Sequence, residues 1–144
     1  MKVAIGFDHA GVDLRAVVID RIRTAGHEIV DFGTDSHTSV DYPDHAQLVA
    51  RAVATGEADF GVLVCGTGLG MSYAANRHPG VRAALCTDSY LAKMARLHND
   101  ANVLCLGARV IGAGVAADIL DAFLTTDFEG GRHARRIGKI ERTS

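Results

Sequence analysis

Tryptophan is absent from this chain of 144 residues, and the aromatic residues together make up only 6%. The interior must therefore be aliphatic, built from Val, Ile, Leu and Ala. Proline occurs twice, no segment is low in complexity, and no linker divides the chain. Cysteine is scarce as well. Cys65, Cys86 and Cys105 are odd in number, widely spaced and form no CxxC pair, which excludes a disulfide framework and a zinc site and fits a reducing compartment. No apolar run approaches the ~20 residues of a membrane span, so no membrane partner is expected. The first apolar stretch is short and leads into Asp8 and His9, so export is not expected and the cytoplasm is. Charge of one sign is lacking too: 15 basic against 17 acidic residues give a net charge of −2. That is no field for collecting nucleic-acid phosphates. What is present, 48% hydrophobic and 22% charged residues, suffices for one folded domain over 1–144.

Short apolar runs alternate with helical periodicity. Residues 2–7 (KVAIGF) predict a strand, and Leu14, Val18, Ile22 and Ala25 recur at helical spacing up to Gly26. A second strand is expected over 27–32, then a helix from Pro43 to about Thr55. The third strand, 59–65, runs into the glycine-rich turn 66–70 and a short helix over about 70–77. Strands at 81–86 and 102–107 are each followed by a helix, over about 89–98 and 112–124. A basic C-terminal arm occupies 129–144. This alternation predicts a three-layer, Rossmann-like, doubly wound α/β fold with a five-stranded parallel sheet, of the common order 2-1-3-4-5. The dense apolarity of strands three to five suggests that all three are central. In that order the carboxyl ends of strands one and three face one crevice, which would hold Asp8-His9 and the turn CGTGLG at 65–70.

The three glycines of that turn let backbone N–H groups of Gly66 to Gly70, Leu69 among them, converge on negative charge. A tight turn that merely needs glycine accounts for the pattern equally well. No GxxxxGK[ST] string exists, and strand one lacks GxGxxG, so ATP and NAD are both disfavoured. Cys65 ends its strand where a thiol beside a helix N-terminus is suited to act as base or nucleophile. The plainer reading, a small buried hydrophobe, is assigned to Cys86 and Cys105. Asp8 is either a helix cap or a site residue. His98 enters strand five at its amino end, opposite the crevice, so it joins the site only if a second subunit presents it. Arg132 and Arg136 lie four apart, so one helical face of the arm would carry two guanidinium groups suited to a phosphate dianion, with Arg109 as a third cation. A solvated terminal helix explains the same charges.

GFDHAG at 6–11, DYP at 41–43, CGTGLG at 65–70, AAN at 74–76, HNDANVL at 98–104, LGARVIG at 106–112 and EGGRH at 129–133 resemble one family. It is the ribose-5-phosphate isomerase B family, which also includes galactose-6-phosphate isomerase subunits and allose-6-phosphate isomerases. With Cys65 present and Leu69 where some members carry glutamate, the chain resembles the cysteine-base branch. The resemblance implies reversible conversion of D-ribose 5-phosphate to D-ribulose 5-phosphate through a cis-enediolate, without metal or organic cofactor. It implies Cys65 as the base, Thr67 assisting proton shifts on the oxygens and His98 assisting ring opening. Asp8 and Asn99 would bind sugar hydroxyls, with Tyr42 lining the pocket. His9, Arg132 and Arg136 would take the phosphate, with Arg109 nearby. Homodimers or dimers of dimers with shared sites are implied, so a monomer would lack a complete site. The alternatives are the same chemistry on allose or galactose 6-phosphate, a non-catalytic sugar-phosphate binding module, and a thiol redox protein resolved by Cys86 or Cys105.

Overall fold

The computed structural model describes residues 1–141; the last three residues of the basic arm lie outside them. Five parallel strands form one sheet: β1 Lys2–Phe7, β2 Glu28–Asp31, β3 Phe60–Cys65, β4 Ala83–Leu85 and β5 Val103–Gly107. A 3-10 turn at Gly11–Leu14 leads into α1 (Arg15–Thr24). The other helices are α2 Tyr42–Ala54, α3 Leu69–Ala75, α4 Ser89–Leu97, α5 Ala113–Thr125 and α6 Arg132–Glu141, which lies within the arm.

Alternation along the strands divides the core between two faces. Val3, Ile5, Phe7, Val62, Val64, Leu104 and Leu106 point to the side covered by α1, α4 and α5. Ala4, Leu63, Cys65, Val103 and Cys105 point to the other side, against α2 and α3. Both faces are buried, which is why the strands read as continuous apolar runs. The largest aromatic contact, Phe60 edge-on to Phe123 at 5.5 Å, closes the first layer beneath α5. Glycine is required where the chain crosses closely at the ends of the strands. Most severely, a Cβ on Gly11 would sit 2.0 Å from the Val64 carbonyl oxygen.

The strand order is β2-β1-β3-β5-β4, which corrects the expected 2-1-3-4-5. β5 takes the slot beside β3, and β4 lies at the edge. The reason is burial. Every residue of β5 is buried and pairs with β3, and its first three pair with β4 as well, whereas β4 is three half-buried residues preceded by Arg82. A short strand of small side chains suits an edge, and the longer apolar run takes the centre. The swap places the carboxyl end of β5, and with it Arg109, directly beside the glycine-rich turn.

Candidate active site

The crevice forms where β1, β3 and β5 end side by side, with Phe7 opposite Val64 and Cys65 opposite Gly107. Asp8, only 6% exposed, donates its N–H to the Val64 carbonyl at 3.1 Å. Its Oδ1 accepts from the N–H groups of Ala10 and Gly11 at 2.9 and 2.8 Å. The N-cap of the 3-10 turn is Ala10, so Asp8 is not the cap itself; one of its carboxylate oxygens holds the turn just before it, and the same side chain also lines the cavity described next.

Cys65 is buried, and its Sγ accepts the Gly68 N–H at 3.1 Å. This bond requires the left-handed backbone of Gly68, at φ +81°, where a Cβ would also meet Leu85 at 2.4 Å. The next donor, the Leu69 N–H, reaches Thr67 Oγ1 at 3.3 Å. Two of the turn's N–H groups are thus spent on orienting the thiol and the hydroxyl. Above them lies a cavity of about 350 Å³, with Cys65, Gly66, Thr67 and Gly70 on one wall and Asp8, Tyr42, Tyr73 and Arg109 around the rest. The Tyr42 ring lies on Gly70, where a Cβ would be only 2.3 Å from it. The Arg109 guanidinium lies along Gly66. A thiol, a hydroxyl and a carboxylate thus share a cavity with a cation at its edge, an arrangement that can move a proton on a small anionic substrate. Leu69 opens α3 and is exposed. His9 is half-buried, and its Nδ1 accepts the Val40 N–H at 3.2 Å in the loop leading to Tyr42.

The remaining predicted residues lie elsewhere. His98 ends α4 and Asn99 follows it, before the first residue of β5; Arg109 comes just after the last. The length of that strand, roughly 15 Å, separates the two ends. Within one chain His98 and Asn99 therefore do not reach Cys65. Arg132 and Arg136 are exposed on α6, which joins the His98 end. The His133 ring stacks on His98 with centroids 4.2 Å apart and planes inclined by 12°. Glu129 Oε2 lies 3.6 Å from His98 Nε2, and the Glu129 N–H donates to the Leu97 carbonyl. The structure thus makes two clusters, one around Cys65 and one around His98.

His98, Glu129 and His133 each offer a ligand atom within 4.8 Å of the other two. Imidazole lone pairs lie in the ring plane, and two nearly parallel stacked rings do not direct them to one point. The set is a poor fit for a single ion.

Sequence reasoning missed four residues here. Tyr73 lines the cavity one turn beyond Gly70. Arg96, 6% exposed, donates to Asp100 Oδ1 and to the carbonyls of Ala101 and Thr126. It braces the loop that carries His98 and Asn99, and its guanidinium lies over Phe60. Its spacing from Asp100 was the available signal. Glu129 and His133 fell inside a motif but carried no pattern of their own. Cys86 and Cys105 are buried as expected, and burial pushes the Cys86 thiol up to about 12 and the Cys105 thiol up as well. Neither is poised to resolve a disulfide with Cys65.

A family model described as Ribose/Galactose Isomerase matches residues 3–140, which include both clusters. The chain belongs to the Ribose/Galactose Isomerase family. It is 47% identical to ribose-5-phosphate isomerase B of Escherichia coli, over 96% of this chain and 93% of that protein. The structure resembles Clostridium thermocellum ribose-5-phosphate isomerase B with a TM-score of 0.95 at 55% identity, covering 98% of this chain and 95% of that one. It also resembles Mycoplasma genitalium ribose-5-phosphate isomerase B, which was solved with ribulose-5-phosphate bound. There the TM-score is 0.93 at 43% identity, covering 98% and 94% of the two chains. The two structural matches cover nearly the whole of this chain, so this Ribose/Galactose Isomerase family chain has the family fold over that length. Among the described residues no helix is long and apolar enough to cross a membrane.

Proposed function

We propose that the chain, as one domain over 1–144, interconverts D-ribose 5-phosphate and D-ribulose 5-phosphate, with no metal or organic cofactor. The observation that carries this reading is Cys65 Sγ, held by the Gly68 N–H in the wall of a cavity that also presents Asp8, Thr67 and Arg109. After ring opening, the Cys65 thiolate takes the C2 proton and returns it to C1, and the charge of the cis-enediolate rests on O1 and O2 in between. Thr67, one bond from the Leu69 N–H, shifts protons between those oxygens. Asp8 and Tyr42 hold sugar hydroxyls. The free oxygen of Asp8 does so because its other oxygen is fixed by two backbone donors.

His98 opens the ring and Asn99 binds a hydroxyl, both from a second subunit, because β5 separates them from Cys65 in their own chain. Arg132 and Arg136 of that subunit bind the phosphate with His9 and Arg109. The assembly is a cytoplasmic homodimer or dimer of dimers. The family also spans galactose isomerases, so allose or galactose 6-phosphate is the second reading, with the same residues in the same roles.

The test is isomerisation of ribose 5-phosphate by purified protein in EDTA, beside allose 6-phosphate and a Cys65→Ala control. Turnover of the pentose is expected, with a loss of about 10²–10⁴-fold in the variant. Turnover of the hexose alone would change the substrate and keep the mechanism. Binding without turnover in the wild type would make the protein a sugar-phosphate binding module.

A further inference from the structure

Of the buried polar side chains that the proposed chemistry leaves unused, Ser72 and Arg96 are hydrogen-bonded and His133 stands apart. It is 6% exposed, and its Nε2 has no hydrogen-bond partner among the described residues. A buried imidazole nitrogen without a partner is costly, so the side chain is placed there for something other than its own hydrogen bonding. What it does contact is His98. The two rings overlap face to face at 4.2 Å and 12°, while Glu129 Oε2 stands 3.6 Å from the Nε2 of His98. His98 is thus confined by a flat ring on one side and by a carboxylate near Nε2. Both restraints come from the segment that opens the arm.

We propose that His133 is a positioning residue for ring opening: its stacked imidazole fixes the plane of the His98 ring, from which a proton is delivered to the sugar ring oxygen. The proposal rests on the isomerase reading above and on His98 acting in a partner's site. Charge supports the division of labour. Burial, the neighbouring His98, and the cations Arg132 and Arg136 all favour neutral His133, and only Glu129 opposes them. His133 is thus held towards its neutral form. A neutral ring presents its π face to the His98 ring stacked on it. The contribution is the aromatic face, and the Nε2 atom of His133 is dispensable.

Two reactions on one enzyme separate this role from a structural one. Isomerisation of ribose 5-phosphate, which is mostly cyclic, requires ring opening. Exchange of solvent deuterium into C1 of ribulose 5-phosphate does not, because its phosphorylated C5 oxygen prevents ring closure. Exchange needs only enolisation at Cys65. His133→Leu, which fills the site without an aromatic face, is expected to lose about 10- to 100-fold in kcat for isomerisation. Its deuterium exchange should stay near the wild-type rate. His133→Phe, which restores the face without the nitrogen, should recover isomerisation.

Equal loss of both reactions in His133→Leu would make His133 a structural residue and overturn the proposal. So would unchanged isomerisation in that variant, or a His133→Phe enzyme as impaired as His133→Leu. If His133→Leu does not fold, the His133→Phe comparison decides alone, since retained isomerisation supports the ring and loss refutes it. A wild-type enzyme that catalyses neither reaction would instead remove the isomerase reading, and this inference with it.

Discussion

Cys65 sits where three constraints meet: the last buried position of β3, a bend that only glycine allows at 68, and an N–H aimed at its sulfur. The other two thiols have no such setting. With its pKa pushed up to about 12, Cys86 remains a neutral thiol at pH 8, and burial acts on Cys105 in the same direction. Thiolate is the species that reacts with alkylating reagents. Iodoacetamide at pH 8 is therefore expected to modify native protein at Cys65 alone, the only thiol that lines the cavity, with activity lost in proportion. Peptide mapping by mass spectrometry checks this, and early labelling of Cys86 or Cys105 in folded protein would contradict it. The candidate residues were legible where chemistry is written in a short run, as in CGTGLG. Tyr73, Arg96, Glu129 and His133 were not, because packing between distant segments gives each its role. Nothing local distinguishes Tyr73 from an ordinary surface tyrosine, since it is 65% exposed.

Among the elements, β1 and the turn that follows it set the geometry of the crevice. Gly11 lets that turn lie directly on β3, while Gly114 stands in open space near the start of α5. Gly11→Ala must push the Val64 backbone aside and is expected to cost about 3 kcal/mol or more. Gly114→Ala meets nothing and removes the entropic penalty of a helical glycine, so it should be neutral or stabilising by up to about 1 kcal/mol. Urea unfolding of the two variants measures the contrast, and equal midpoints would contradict it. Most strands and helices were legible to within about two residues because both sheet faces are buried and the helices are amphipathic. The order of β4 and β5 was not. Both are apolar runs of similar reach, VRAALC and NVLCLG, and what separates an edge strand from a central one is its neighbours in space. The half-burial of Ala83 to Leu85 records that outcome without encoding it in the pattern.

For the molecule as a whole, the decisive feature is that two chemical clusters occupy opposite ends of one sheet. The described part of the arm is tied down on the His98 side at both of its ends. Its start packs on α4 through Glu129 and His133, and its finish pairs Glu141 with Arg82 at 2.6 Å and with the Gly80 N–H at 3.2 Å. The separation was legible from topology alone, since His98 precedes a strand whose other end meets the crevice, and the corrected strand order leaves that deduction intact. The central claim is that Cys65 of one subunit works with His98 of another. Co-expressing Cys65→Ala and His98→Ala chains tests it most directly. Each variant alone is inactive, but a mixed dimer holds one site with both residues intact. With random pairing, half the dimers are mixed and one of their two sites works, so about a quarter of wild-type turnover is expected. Turnover no higher than that of either variant alone would contradict a shared site.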